Sequence, residues 1–195
     1  MRNPGNYSIE ISHSAECAFQ RAIIQGKYSF VKGEKIKWID IELPVDNGKA
    51  ARAKCLDLIG KDEQGNYVLC ELKFRKKSDN GSPSKATKQL KKYFEMIKKN
   101  AAELNKIRLR HTNATEEIDW EQVASDKTRL MVVANEFYWG TWLVRSKYKE
   151  ELTDKKVEYY SVSLSDRYIF EKQKGQKENY EPKMPQEGFD WTEKR

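Results

Sequence analysis

The residues in this chain best able to do chemistry are an aspartate, a glutamate and a lysine, each inside an otherwise apolar run. Asp57 lies in Ala53-Lys54-Cys55-Leu56-Asp57-Leu58-Ile59-Gly60, and Glu71 and Lys73 lie in Tyr67-Val68-Leu69-Cys70-Glu71-Leu72-Lys73-Phe74. An isolated ion in such a run loses far more solvation than its packing returns, so these residues need partners. Two converging carboxylates, with a lysine two residues from one of them, suit a hard divalent cation and a water activated on it.

Register decides whether they converge. The two runs read as strands, and the polar Asp62-Glu63-Gln64-Gly65-Asn66 between them reads as a hairpin loop. Lys61 then faces Tyr67, Asp57 lies opposite Glu71, and Cys55 lies opposite Lys73. Alternation puts Cys55, Asp57, Ile59, Leu69, Glu71 and Lys73 on one face. Leu56, Leu58, Val68, Cys70, Leu72 and Phe74 form the other, a wholly apolar face expected to meet the core. A slip of one residue would separate Asp57 from Glu71 and spoil the apolar pattern. The competing reading is an edge hairpin in which Lys73 merely pairs with Asp57.

Asp57 followed by Glu71-Leu72-Lys73 resembles the PD-(D/E)xK motif of the restriction-endonuclease-like nucleases, with Leu56 where that family usually carries proline. Just downstream, Gln89-Leu90-Lys91-Lys92-Tyr93 resembles the QxxxY motif of the RecB-type and phage-exonuclease-type branch. The resemblance spans Ser14 to Ala134. It implies an α/β fold with a restriction-endonuclease-like core of helix, three strands, helix and strand, its mixed central sheet flanked by helices. It also implies a deoxyribonuclease dependent on Mg2+ or Mn2+. Asp57, Glu71 and the Leu72 carbonyl would hold the ion, Lys73 would orient the attacking water, and Gln89 and Tyr93 would position the phosphate backbone or Lys73. A third acid is expected from the first helix, carried over as Glu16, with Glu10 and Glu42 as competitors. The alternative is a non-catalytic nucleic-acid-binding or assembly module on the same fold. A hydrolase of another phosphodiester or nucleotide is a third reading.

The elements that must position these residues can be read without the family. Asn80-Gly81-Ser82-Pro83-Ser84 is a turn and cap signal, with Ser84 as the candidate N-cap. From Lys85 onward Ala86, Leu90, Phe94, Ile97, Ala101 and Leu104 recur at helical spacing, with Gln89 and Tyr93 stacked along one edge of that stripe. An earlier helix is predicted over Ser14 to Gln25, with Ala15, Phe19, Ala22 and Ile23 inward and Gly26 ending it. It carries Glu16 and Gln20 on one face. Ile36 to Val45 reads as a strand with Ile39, Ile41, Leu43 and Val45 on one face. Thr128 to Ala134 reads as a short buried strand, Trp139 to Glu151 as a helix, and Val157 to Leu164 as a last strand.

Thirty-seven Lys and Arg against 30 Asp and Glu give a net charge of +7, which favours polyanionic partners. Arg75, Lys76, Lys77, Lys85, Lys88 and Lys92 are the candidate nucleic-acid contacts, with Lys91 among them in sequence. A second basic group follows at Lys106, Arg108, Arg110 and His111. The expected partner is DNA, with a homodimer left open and no membrane, since no run approaches a membrane span. With no apolar signal segment at the start, and with Cys17, Cys55 and Cys70 odd in number and read as buried reduced thiols, a cytoplasmic location is expected. Residues 1–170 read as one domain, and residues 171–195 as a loosely held polar tail that Phe189 and Trp191 could dock.

Overall fold

The computed structural model describes residues 15–46, 55–74, 82–111, 114–143, 152, 154–162, 170–172, 180–182 and 189–194. The first helix, α1, spans Ala15–Gly26 and buries Ala18, Phe19, Ala22, Ile23 and Ile24 along one side. A hairpin follows that the sequence did not announce: β1 (Tyr28–Val31) turns through Lys32 and Gly33 into β2 (Glu34–Pro44). Lys32 and Gly33 both have positive φ, 53° and 83°, as a two-residue turn matching the strand twist requires. The predicted hairpin is present as β3 (Cys55–Lys61) and β4 (Tyr67–Lys73). Its loop is closed by the Asp62 carboxylate, which accepts the backbone N–H groups of Gln64 and Asn66.

The long helix α2 (Pro83–Lys106) starts two residues earlier than its predicted cap allows. Ser82, not Ser84, is the N-cap: its hydroxyl accepts the Lys85 N–H, and Pro83 takes the first helical position, where its missing N–H costs nothing. The short α3 (Trp120–Val123) leads into β5 (Arg129–Asn135), then α4 (Glu136–Leu143) and β6 (Val157–Val162). α4 begins three residues before the predicted Trp139, because the Asn135 side chain accepts the Tyr138 N–H and opens the helix directly at the strand end. Short strands β7 (Phe170–Lys172) and β8 (Tyr180–Pro182) pair with each other. The last strand, β9 (Phe189–Glu193), lies in the segment read as a polar tail, and it is built into the main sheet.

The architecture is therefore mixed α/β. β1 to β4 run antiparallel in order, and β5 and β6 continue in parallel beside β4. β9 pairs with both β6 and β1, so the seven strands close on themselves. The leading order is helix, four strands, helix, short helix, strand, one strand more than the expected core because of β1. Core clusters cover both faces. One joins α1 to Ile36, Trp38, Ile41, Leu58, Val68, Cys70, Leu72, Met131 and Val133. The other joins α2, α3 and α4 to Ile39, Leu43, Leu56, Ile59, Leu69, Val132 and Tyr159.

Those clusters correct two expectations. Ile41 packs on the α1 side, whereas Ile39, Leu43 and Val45 pack on the α2 side, so the four do not share a face. The cause is local. The β2–β3 register shifts between Trp38 and Asp40, and Glu42 adopts a left-handed φ of 53°. Leu56 likewise packs with Ile59 and not with Leu58. Leu43 pairs with Leu56 and Ile41 with Leu58, so the kink at Glu42 falls opposite Asp57 and both strands change phase together.

Candidate active site

Hairpin register is as the loop length implies: Lys61 pairs with Tyr67, Gly60 with Val68, Ile59 with Leu69 and Leu58 with Cys70. One step further the strands part. There the Asp57 Oδ2 accepts the Leu72 N–H at 2.8 Å, a side chain replacing a rung of the ladder. At this split end Lys73 Nζ stands 2.6 Å from Glu71 Oε1. Glu71 is fully buried and the Lys73 side chain is only 16% exposed, while Asp57 is half-buried. The second Glu71 oxygen, Oε2, is buried and has no hydrogen-bond partner among the described residues. A buried carboxylate oxygen left in that condition carries the full cost of its desolvation.

The charges respond to this crowding. Burial pushes the Asp57 carboxyl well above the usual carboxylate range, and repulsion from Glu71 adds to it; Lys73 and the Leu72 N–H oppose the rise, and Glu42 reinforces it. Glu71 is pushed up to about 7, again first by burial, with Lys73 pulling down and Glu16 pushing up. As two carboxylates, Asp57 and Glu71 can only repel. Burial works against the charge on Lys73, but Asp57, Glu71 and Glu16 outweigh it and raise its affinity for the proton. Lys73 is thus held as a cation. It cannot take a proton from water, but it can orient a nucleophile and offset negative charge.

Both helices reach this end of the hairpin. From α1, Gln20 Nε2 donates to the Asp57 carbonyl at 2.7 Å, and Glu16 Oε2 accepts the Phe74 N–H at 2.9 Å. From α2, Gln89 Nε2 donates to the Tyr93 hydroxyl at 3.2 Å. Burial, and after it the Glu71 carboxylate, push the Tyr93 phenol up to about 12. Asp57, Leu72, Glu71 and Lys73 are thus joined at the split end, Glu16 and Gln20 reach it from α1, and Gln89 and Tyr93 bond to each other on α2. Gln20 shares a helix face with Glu16 in the sequence reading but has no partner there; the signal was an amide standing among the apolar Ala18, Phe19, Ala22 and Ile23.

The basic residues divide. Lys85, Lys88 and Lys92 are exposed along one stripe of α2. Lys91 pairs with Asp154 at 2.6 Å, and Lys98 with Asp126 at 3.2 Å. Arg75, Lys76 and Lys77 lie outside the described residues, as does Glu10. In the second basic group Lys106 and Arg108 are exposed, Arg110 pairs with Glu117, and His111 is buried, its backbone N–H donating to the buried Asp40 carboxylate at 2.7 Å. Of the three thiols only Cys70 is buried, Cys17 and Cys55 being half-buried, and none is in a disulfide.

Among the described residues, no group of three or more His, Cys, Asp and Glu side chains is arranged to hold a metal ion. One Glu16 oxygen is engaged by Phe74, which leaves Asp57 and Glu71 as the converging pair. The fit to a hard cation rests on that pair. Two oxygen donors repel each other, one of them is buried without a partner, and a divalent ion would satisfy both conditions at once.

Residues 31–119, a little under half of the chain, match the family described as "Endonuclease NucS C-terminal domain". The match covers the second strand, the hairpin and the long helix, and it supports a nuclease relationship in the broad sense without bearing on a RecB-type branch. A repair endonuclease from Pyrococcus abyssi is similar in structure, with 22% identity and a TM-score of 0.37 over 67% of this chain and 39% of its own. The chain thus spans about two fifths of that endonuclease. An XisH family protein from Nostoc punctiforme is similar with 12% identity and a TM-score of 0.33, over 79% of this chain and 97% of its own. No curated protein matches the sequence. Among the described residues no helix is long and apolar enough to cross a membrane.

Proposed function

We propose that the protein is a Mg2+- or Mn2+-dependent nuclease acting on DNA phosphodiester bonds, with its centre at the split end of the β3–β4 hairpin. The observation that carries this reading is the buried, unpartnered Glu71 Oε2 beside a second carboxylate, Asp57, and a lysine held as a cation. Asp57 and Glu71, with the Leu72 carbonyl, would hold the ion. When bound, it would polarise a phosphoryl oxygen and lower the pKa of a coordinated water.

The chain's own residues supply the rest. The Leu72 N–H fixes the Asp57 carboxylate in orientation. Lys73, one of its protons committed to Glu71 Oε1, keeps further N–H donors to align a water and to meet charge that builds on the phosphate. Gln89 orients the Tyr93 hydroxyl, and the pair positions the phosphate backbone or Lys73. Lys85, Lys88 and Lys92 carry the DNA along α2 by contacts to phosphates, which position the duplex without reading its sequence. The match to an endonuclease domain over residues 31–119 supports the same reading.

The test is incubation of the protein with supercoiled and linear DNA in Mg2+, Mn2+ or EDTA. Loss of DNA only with the metals is the expected result. Retarded but intact DNA under all three conditions would replace this reading with the non-catalytic DNA-binding module.

A further inference from the structure

We infer that Gln20 is a positioning residue for the carboxylate pair: α1 braces the opened hairpin and sets the separation at which Asp57 and Glu71 can share one ion. The inference rests on the nuclease reading above. Two side chains one helical turn apart, Glu16 and Gln20, reach the backbones of two different strands where those strands leave each other. Gln20 donates to the Asp57 carbonyl on β3, and Glu16 accepts the Phe74 N–H just past the end of β4.

The β3–β4 pairing ends at Leu58 and Cys70, and beyond it the Asp57 side chain takes the Leu72 N–H. Gln20 is 4% exposed, so its amide is committed to this place in the fold and is no surface residue that happens to touch. With Gln20 on the carbonyl and Leu72 on the carboxylate, Asp57 is held at both ends. A ligand restrained in this way loses little entropy on binding an ion, and one freed from an outer partner typically weakens metal binding by roughly 10- to 100-fold.

The experiment compares the parent and Gln20→Met by calorimetric titration with Mn2+, together with metal-free thermal melts and steady-state cleavage of linear DNA. Gln20→Met keeps the length and burial of the side chain but cannot donate. We expect it to bind Mn2+ roughly tenfold or more weakly and to lose kcat at limiting Mn2+, with KM for DNA unchanged and activity partly restored at high Mn2+. Unchanged Mn2+ affinity in Gln20→Met overturns the inference while leaving the nuclease reading intact. If Gln20→Met fails to fold, Gln20→Asn, whose amide falls one methylene short of the Asp57 carbonyl, gives the same titration. A parent that binds no Mn2+ overturns both.

Discussion

Lys73 Nζ lies 2.6 Å from Glu71 Oε1, while the other oxygen of the same carboxylate is buried and unpartnered. The lysine therefore satisfies half of Glu71. It also stands within the field of Asp57 and Glu16, so it compensates three carboxylates with one charge. The centre is deficient in positive charge by construction, and that deficit is what a divalent cation would fill.

Lys73→Ala is expected to abolish metal-dependent cleavage and leave DNA binding within a few-fold of the parent, because Lys85, Lys88 and Lys92 remain to hold phosphates. Gel retardation and cleavage assays on the same preparation check it. A parallel loss of binding and cleavage would assign Lys73 to anchoring DNA instead. The variant also strips the buried Glu71 of its partner, so a lowered melting temperature at neutral pH is part of the expected outcome.

The carboxylate pair gives a stability signature with a definite sign. Both Asp57 and Glu71 are raised in the folded protein, Glu71 from 4.5 to about 7. A carboxylate raised on folding binds more protons in the folded state, so stability falls as pH climbs from its unfolded value through its folded one. Without metal, the protein is expected to lose stability between pH 4.5 and about 7 by on the order of 2–3 kcal/mol. Asp57→Asn removes one charge, and its side-chain oxygen can still accept the Leu72 N–H. It should flatten this slope, melt no lower than the parent at pH 7 without metal, and gain nothing from millimolar Mn2+. A marked drop in its metal-free melting temperature would instead make Asp57 a structural partner of Lys73.

Lys85, Lys88 and Lys92 share one exposed stripe of α2 and are the described candidates for tracking the DNA backbone. Each phosphate neutralised contributes about −0.9 to the slope of log K against log salt. Changing all three to Ala should make that slope shallower by up to about 2.7 and weaken binding at low salt, with the melting temperature nearly unchanged. An unaltered slope would mean that this stripe only keeps the protein in solution.

What could be read from the sequence follows from how local the cause was. The β3–β4 register was legible because a five-residue polar loop and the apolar alternation next to it, from Leu58 to Cys70, fix it between neighbours in the chain. The α2 stripe was legible for the same reason, from Ala86 to Leu104, all of its predicted positions being buried. The phase change was not legible, since nothing in the composition of β2 says that Glu42, flanked by Ile41 and Leu43, adopts a left-handed φ. β9 was missed because its partners, β1 and β6, are distant in sequence and its short Phe189–Glu193 run sits in an otherwise polar segment. His111 looked like part of a basic patch. Its burial depends on the Asp40 carboxylate, 71 residues away, which no spacing rule connects to it.

Arg129 separates the stability of the sheet from the chemistry at its other end. It opens β5, opposite Val68, whereas Lys73 lies opposite Ala134, five positions or about 17 Å along the strands. Its guanidinium grips Glu158 with two N–H groups at 2.9 and 3.0 Å and reaches Glu34 at 2.6 Å, tying β2, β5 and β6 together. Burial would raise the Glu158 carboxyl, but the bonds from Arg129 and Tyr160 outweigh it and hold it below its usual range. A carboxylate depressed on folding stabilises above its unfolded pKa, and that contribution is lost as pH falls through the folded one. This is the opposite sign to the Asp57–Glu71 pair, and it falls in the more acidic window. Arg129→Ala should therefore cost about 2–3 kcal/mol at pH 7, less than a fully buried pair because both partners keep about a fifth of their surface exposed. The acid limb of its stability profile, below about pH 4.5, should be shallower than the parent's. Cleavage per folded molecule, measured well below the melting temperature, should stay unchanged. A loss of kcat that persists under those conditions would show that the network at the far end of β5 reaches the site, and the separation of scaffold from centre would have to be abandoned.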